Sequence, residues 1–139
     1  MTRLLRIDTS SRSQGSHSGE LADFVEKSWL DHFPRDEILS RDLARDNIPH
    51  LSNSTIEAFN TPLAQHTPAI KNASRLSETL IAEFQSADVI LLSVPMYNFT
   101  IPSVLKAYID HIVRIGFTFD YHAQKGLYGL LKNKHAIVC

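Results

Sequence analysis

The run Val89-Ile90-Leu91-Leu92-Ser93-Val94 carries five apolar side chains in six positions. A strand with one wet face would alternate apolar and polar residues. An unbroken run suits a strand covered on both faces, as the central strands of parallel sheets are. Such a sheet needs helices on each side, so the chain must supply amphipathic segments around this one.

It does. Arg3 to Asp8 reads as a first strand and leads into a polar loop, Thr9 to Ser18, with five serines and Gly15. Leu21, Phe24, Val25, Ser28/Trp29 and Phe33 then recur at helical spacing. Ser18 is the predicted N-cap of that helix and Pro34 its stop. Glu37 to Arg41 is a short second strand. Asp42 to Pro49 reads as irregular surface chain, and Thr55 to Phe59 as a turn or two of helix. Thr67-Pro68 places a cap before a first-turn proline. Ile70, Ala73, Leu76, Leu80, Ile81, Phe84 and Ala87 follow as a stripe. Pro102 opens another helix, apolar at Val104, Leu105, Tyr108, Ile109, Ile112 and Val113, which Gly116 ends. Phe117 to Lys125 is an aromatic-rich excursion, and His135 to Cys139 a further strand.

At 139 residues, 43% hydrophobic and 21% charged, the chain is expected to form a single domain over 1–139. Fourteen basic against fifteen acidic residues leave no positive field to collect nucleic-acid phosphates. The first apolar stretch is short and broken by Arg6, which fits neither a signal peptide nor a membrane anchor. One cysteine, Cys139, cannot form an internal disulfide, which fits a reducing cytoplasm.

Two segments carry candidate chemistry. In the loop Ser10-Ser11-Arg12-Ser13-Gln14-Gly15-Ser16-His17-Ser18, hydroxyls and the free N–H groups of a helix start can cradle a phosphate without a lysine. The P-loop's Gly-Lys-Ser/Thr and the dinucleotide Gly-x-Gly-x-x-Gly are both absent. The plain alternative is a polar loop with a capping serine. The second segment, Pro95-Met96-Tyr97-Asn98-Phe99, directly follows the buried strand and offers two aromatics and an amide to a flat ring. Its plain alternative is a plug for the sheet end. In the doubly wound order 2-1-3-4-5, strands one and three flank the switch point, so both loops face one crevice.

Together these segments resemble the flavodoxin-like, FMN-dependent NADH-azoreductases, a family that also reduces quinones. The resemblance covers the whole chain. It rests on Ser10 with Ser16-His17-Ser18, on Arg41-Asp42-Leu43, on Pro95-Met96-Tyr97-Asn98-Phe99, and on Arg114-Ile115-Gly116-Phe117-Thr118-Phe119. It implies a three-layer α/β sandwich with a parallel sheet in the order 2-1-3-4. It implies FMN, with its phosphate and ribityl neighbourhood held by Ser10, Ser16, His17 and Ser18, and its ring along Pro95, Met96, Tyr97, Asn98 and Phe99. It implies NADH as co-substrate, azo compounds and quinones as acceptors in ping-pong fashion, chemistry on the flavin with no catalytic side chain, and a homodimer with flavin at the interface. The helix after Pro102 is apolar over a wide enough arc to contribute to such an interface. In the family a Ser-Arg-Gly-Gly-type loop, another helix, a fifth strand and a last helix follow the strand that here ends at Cys139. On that comparison the chain reads as C-terminally shortened, its domain incomplete and its fifth strand missing, with weakened flavin binding and turnover expected.

Two readings from other classes stay open. One is a flavin- or phosphate-binding module without turnover. The other is a hydrolase of the acyl carrier protein phosphodiesterase kind, a label attached to relatives of the family. The seven histidines show no His-x-x-x-His spacing, so a metal site is not expected. Asp110-His111 is expected on a solvated helix face, and Cys139 reads as a chain-end thiol.

Overall fold

A computed structural model describes all 139 residues. β1 (Arg3–Asp8), β2 (Glu37–Asp42), β3 (Val89–Ser93) and β6 (His135–Val138) form a parallel sheet in the order β2-β1-β3-β6. Counting only these four strands, that is the expected 2-1-3-4. β4 (Phe119–His122) and β5 (Gly126–Gly129) pair as a separate antiparallel hairpin, which accounts for the aromatic excursion.

The central strands are buried on both faces, as an unbroken apolar run requires. Leu5, Ile7 and Ile90 point into the larger core with α3 (Pro68–Ser86) and α4 (Ser103–Ile112). Leu4, Val89 and Leu91 point the other way, onto Ala22, Val25 and Trp29 of α1 (His17–His32). α2 (Asn53–Asn60) lies against α3. No helix is long and apolar enough to cross a membrane.

The larger core holds twelve buried residues and the α1 side only four, so the α3/α4 layer supplies most of the hydrophobic stabilisation. One cation is built into it. The Arg114 guanidinium lies between the rings of Phe59 and Phe117, 4.1 and 4.2 Å from their centroids. It donates to Ser77 Oγ at 3.0 Å and has no ion-pair partner. Burial therefore lowers its pKa. The two ring faces and the hydroxyl replace part of its lost hydration.

Four sequence expectations change. The irregular chain from Asp42 to Pro49 is not all surface: Leu43 and Ile48 are buried in the larger core. Ser16, not Ser18, caps α1: its backbone is extended and its side chain accepts from Gly19 N–H. Of the expected α1 stripe, Val25 and Trp29 pack onto the sheet, joined by Ala22, whereas Leu21, Phe24 and Phe33 are exposed. α4 ends at Ile112 with Val113 as its C-cap, before Gly116, and Val113 is exposed.

Candidate functional site

The site is assembled at the carboxyl ends of β1 and β3, which are neighbours in the sheet, with Asp8 opposite Ser93. Thr9, fully buried, ties the two ends together by donating from its hydroxyl to the Ser93 carbonyl at 2.7 Å.

Beyond β1, the serine loop turns at Gly15, whose φ of +65° lies in the left-handed region. A glycine adopts it without strain. Ser16 Oγ accepts from Gly19 N–H at 3.3 Å and lies 3.2 Å from Ser18 Oγ. The cap uses one of the free N–H groups at the start of α1. Those of His17 and Ser18 precede the first intrahelical bond. The His17 side chain is almost fully exposed and approaches Glu20 at 3.7 Å. A cleft of about 300 Å³ opens beside the loop, bordered by Ser10, Arg12, Gly15 and Ser16 and by no apolar side chain.

Arg6 forms one wall of that cleft. Burial disfavours its charge, but the hydrogen bonds it donates to Asp8, Glu26 and Asp23 outweigh this and raise its pKa. Three carboxylates surround this one cation, so Arg6 brings no net positive charge to the cleft, which Glu20 and Asp42 also border.

Beyond β3, Tyr97 and Thr100 exchange backbone hydrogen bonds of 2.9 and 3.1 Å around Asn98 and Phe99. Both central residues are left-handed, at φ +49° and +64°. That is the geometry of a type I′ turn, which ordinarily takes glycine at its second position. The phenylalanine there is 97% exposed, Met96 is 74% exposed, and Pro95 is half-buried. Phe99 therefore does not plug the sheet end. Beside this turn, a cleft of about 660 Å³ runs along Tyr97, Asn98 and Ile101 to Lys106 and Asp110 of α4.

The two loops meet at one point. Tyr97 Oη accepts the Ser11 N–H at 3.1 Å and shares a 3.2 Å hydrogen bond with Ser10 Oγ. The bond with Ser10, then that from Ser11, holds the phenol pKa below its ordinary value despite some opposing desolvation. Ser10 therefore touches both segments: it borders the polar cleft with Ser16 and hydrogen-bonds Tyr97 at the aromatic turn.

The remaining candidates separate from it. His111 is buried within α4, not solvated, and its Nε2 lies 3.0 Å from the Pro49 carbonyl. Ser77 Oγ donates to the His111 main-chain carbonyl at 2.5 Å, not to the ring. Asp110 pairs with Lys106. These residues do not form a Ser-His-Asp relay. Burial raises the pKa of the Cys139 thiol, which disfavours a nucleophilic thiolate.

A family model for the flavodoxin-like fold matches residues 2–139. The FMN-dependent NADH:quinone oxidoreductase of Hydrogenovibrio crunogenus is 49% identical over 138 residues, covering 99% of this chain and 68% of that protein. The chain belongs to this family of oxidoreductases. A second member, from Nostoc punctiforme, is 44% identical over 138 residues and is 67% covered. Among solved structures, an azoreductase from Bacillus anthracis superposes with a TM-score of 0.89 at 27% identity, covering 99% of this chain and 67% of that one. The chain spans about two thirds of the length of these family members.

Proposed function

We propose that this chain binds FMN across the two loops and uses it to pass electrons from NADH to quinones and azo compounds. The observation that carries this reading is the junction of Tyr97 with Ser10 and Ser11, which ties the polar serine loop to the exposed aromatic turn at the ends of neighbouring strands. Such a site matches a molecule with a phosphate at one end and a flat ring at the other. The family's FMN dependence supports the same assignment.

In this reading Ser10, Ser16 and Ser18, with the N–H groups of His17 and Ser18, hold the phosphate through charge-assisted hydrogen bonds at a helix N-terminus. The Pro95–Phe99 segment supports the ring through backbone groups and the exposed Met96 and Phe99 side chains. Bound there, FMN supplies hydride acceptance from the nicotinamide and electron delivery to the acceptor in alternating half-reactions. The protein's part is to fix the ring's position and leave one face open, so no acid–base pair is required of it.

A homodimer belongs to the same proposal. Phe99, Ile101, Val113 and Ile115 are exposed on the aromatic turn and around α4, where a second copy would cover them. A cytoplasmic setting is supported by the lone cysteine.

The test is direct. Purified protein is titrated with FMN by fluorescence quenching, then assayed for NADH oxidation with a benzoquinone and with an azo dye. Saturable binding and double-reciprocal plots that stay parallel as the acceptor is varied are expected. Absence of FMN binding overturns the proposal, and intersecting plots overturn its alternating half-reactions.

A further inference from the structure

The flavin reading leaves one buried titratable side chain unused. His111 is 2% exposed, and its Nε2 lies 3.0 Å from the Pro49 carbonyl. A carbonyl only accepts, so Nε2 carries the proton and Nδ1 carries a bare lone pair. Nδ1 is buried and has no partner. The ring is therefore neutral, donates once and leaves its acceptor unmet. An unmet buried acceptor disfavours the folded state. A leucine of similar size would fill the space without that cost. What the imidazole adds here is the single N–H that reaches Pro49.

That bond falls at the weakest point of the segment joining β2 to α2. Upstream, Leu43 N–H donates to the Asp8 carbonyl at 2.9 Å, Asp46 pairs with Arg41 at 2.8 Å, and Ile48 is buried. Downstream, Ser52 caps α2. Between Asn47 and Leu51, the bond from His111 is the only hydrogen bond to the rest of the protein. The next residue, His50, is exposed and borders two clefts. One, of about 320 Å³, reaches Ser11 at the serine loop. The other is the cleft of about 660 Å³ along Tyr97 and Asn98. Ser103 and Ala107 border both as well, so the clefts adjoin beside His50. In the larger one Lys106 is already paired with Asp110, whereas His50 is uncommitted.

We infer that His111 is a positioning residue for the electron acceptor: through the Pro49 carbonyl it holds His50 at the cleft beside the aromatic turn, where the His50 N–H donates to a carbonyl oxygen of a quinone. Resting on the flavin reading above, this gives that site a residue that selects its acceptor. A quinone oxygen only accepts, so one N–H on a fixed segment supplies a directed contact. Neither histidine is needed to hold the flavin, so the effect on the acceptor is separable from cofactor binding.

The experiment compares wild type, His111→Leu, His111→Gln, His50→Ala and the double variant His111→Leu/His50→Ala. Backbone ¹⁵N order parameters of the flavin-free protein report the tether, and steady-state kinetics with FMN, NADH and a benzoquinone report KM against kcat. His111→Leu is expected to lower the order parameters of His50 and Leu51 from about 0.85 toward about 0.6, while β1 and β3 stay unchanged. The quinone KM is expected to rise about fivefold, with kcat and FMN affinity within about twofold, as acceptor binding alone is lost. His111→Gln, whose amide N–H can reach the same carbonyl, is expected to restore both readouts. His50→Ala should raise KM as much, and adding His111→Leu to it should raise KM no further, since His111 acts through His50. Unchanged order parameters in His111→Leu overturn the inference. So do a KM in the double variant that multiplies the single effects, and FMN affinity that falls in step with the rise in KM. Wild type that binds FMN beside an unchanged KM in His50→Ala overturns the inference and leaves the flavin reading standing, whether or not His111→Leu folds. Wild type that binds no flavin overturns both.

Discussion

The β1–α1 and β3–α4 connections reach the same end of the sheet by opposite means. The first is polar and turns at Gly15, where a left-handed φ carries no steric cost. Its hydroxyls are engaged: Ser16 caps α1, Ser18 lies beside it, and Ser10 meets Tyr97. The second turns through Asn98 and Phe99, both left-handed and neither a glycine, and exposes the phenylalanine almost completely. One loop is organised by its own hydrogen bonds. The other holds a strained backbone and an apolar ring in solvent, an arrangement that folding alone does not favour. Strain and exposure of this kind concentrate where a ligand or partner is met.

The largest expected effect lies in the serine loop. Ser16→Ala and Ser18→Ala should each weaken FMN by about 1–3 kcal/mol, as a phosphate oxygen loses its donor. Ser16→Ala should also lower global stability by about 1 kcal/mol through loss of the cap, while Ser18→Ala should not. Urea denaturation without flavin, beside a flavin titration, separates the two effects. Unchanged affinity in both variants would remove this loop from the site.

That contrast also shows what the sequence discloses. The bounds of β1 match expectation because a buried apolar strand between polar ends has little freedom of placement. The cap of α1 was misplaced by two residues, because Ser16 and Ser18 both fit the pattern and only backbone angles distinguish them. The α1 pattern finds Val25 and Trp29 but also takes in Leu21, Phe24 and Phe33, because a second apolar row lies beside the buried one that small Ala22 completes. Asn98-Phe99 lacks the glycine that signals a two-residue turn. The Ser10–Tyr97 contact joins residues 87 apart, so local patterning is silent about it. Burial of His111 was likewise hidden, since its partner is the Pro49 main chain.

Beneath the loops the difference continues. Thr9 donates a hydrogen bond to the Ser93 carbonyl, whereas the Ser93 hydroxyl is buried with no partner in the protein. Thr9→Val should therefore destabilise by about 1–2 kcal/mol, leaving a buried acceptor short of its donor. Ser93→Ala should be neutral or stabilising by up to about 1 kcal/mol, since it deletes an unmet hydroxyl. A loss of stability in Ser93→Ala as large as that in Thr9→Val would show that the two strand ends are equally engaged.

The aromatic turn should respond in the opposite direction. A left-handed non-glycine residue costs about 1–2 kcal/mol. Glycine's extra unfolded-state entropy gives back about 0.5–1 kcal/mol. Phe99→Gly should then stabilise the flavin-free protein by about 0.5–1 kcal/mol, read as a higher urea midpoint at unchanged slope. With FMN the order should reverse, because the ring loses an apolar neighbour. If Phe99→Gly is neither more stable alone nor weaker toward FMN, the exposed ring has no part in the site.

Asn98 gives the smallest and most discriminating effect. Its φ of +49° is as left-handed as its neighbour's, but asparagine tolerates this region through local hydrogen bonding by its short amide. The strain that glycine would relieve is thus smaller than at Phe99 and close to glycine's own entropic cost. Asn98→Gly should shift stability by less than about 0.3 kcal/mol, the difference between two terms of about 0.5–1 kcal/mol each. FMN affinity then isolates what the side chain contributes. A loss in Asn98→Gly without a change in stability would mean that the amide itself meets the ligand. Unchanged affinity would leave the backbone of this turn as its contribution. A stability gain matching that of Phe99→Gly would show that the amide does not relieve the turn, and that both central residues are held there against their preference.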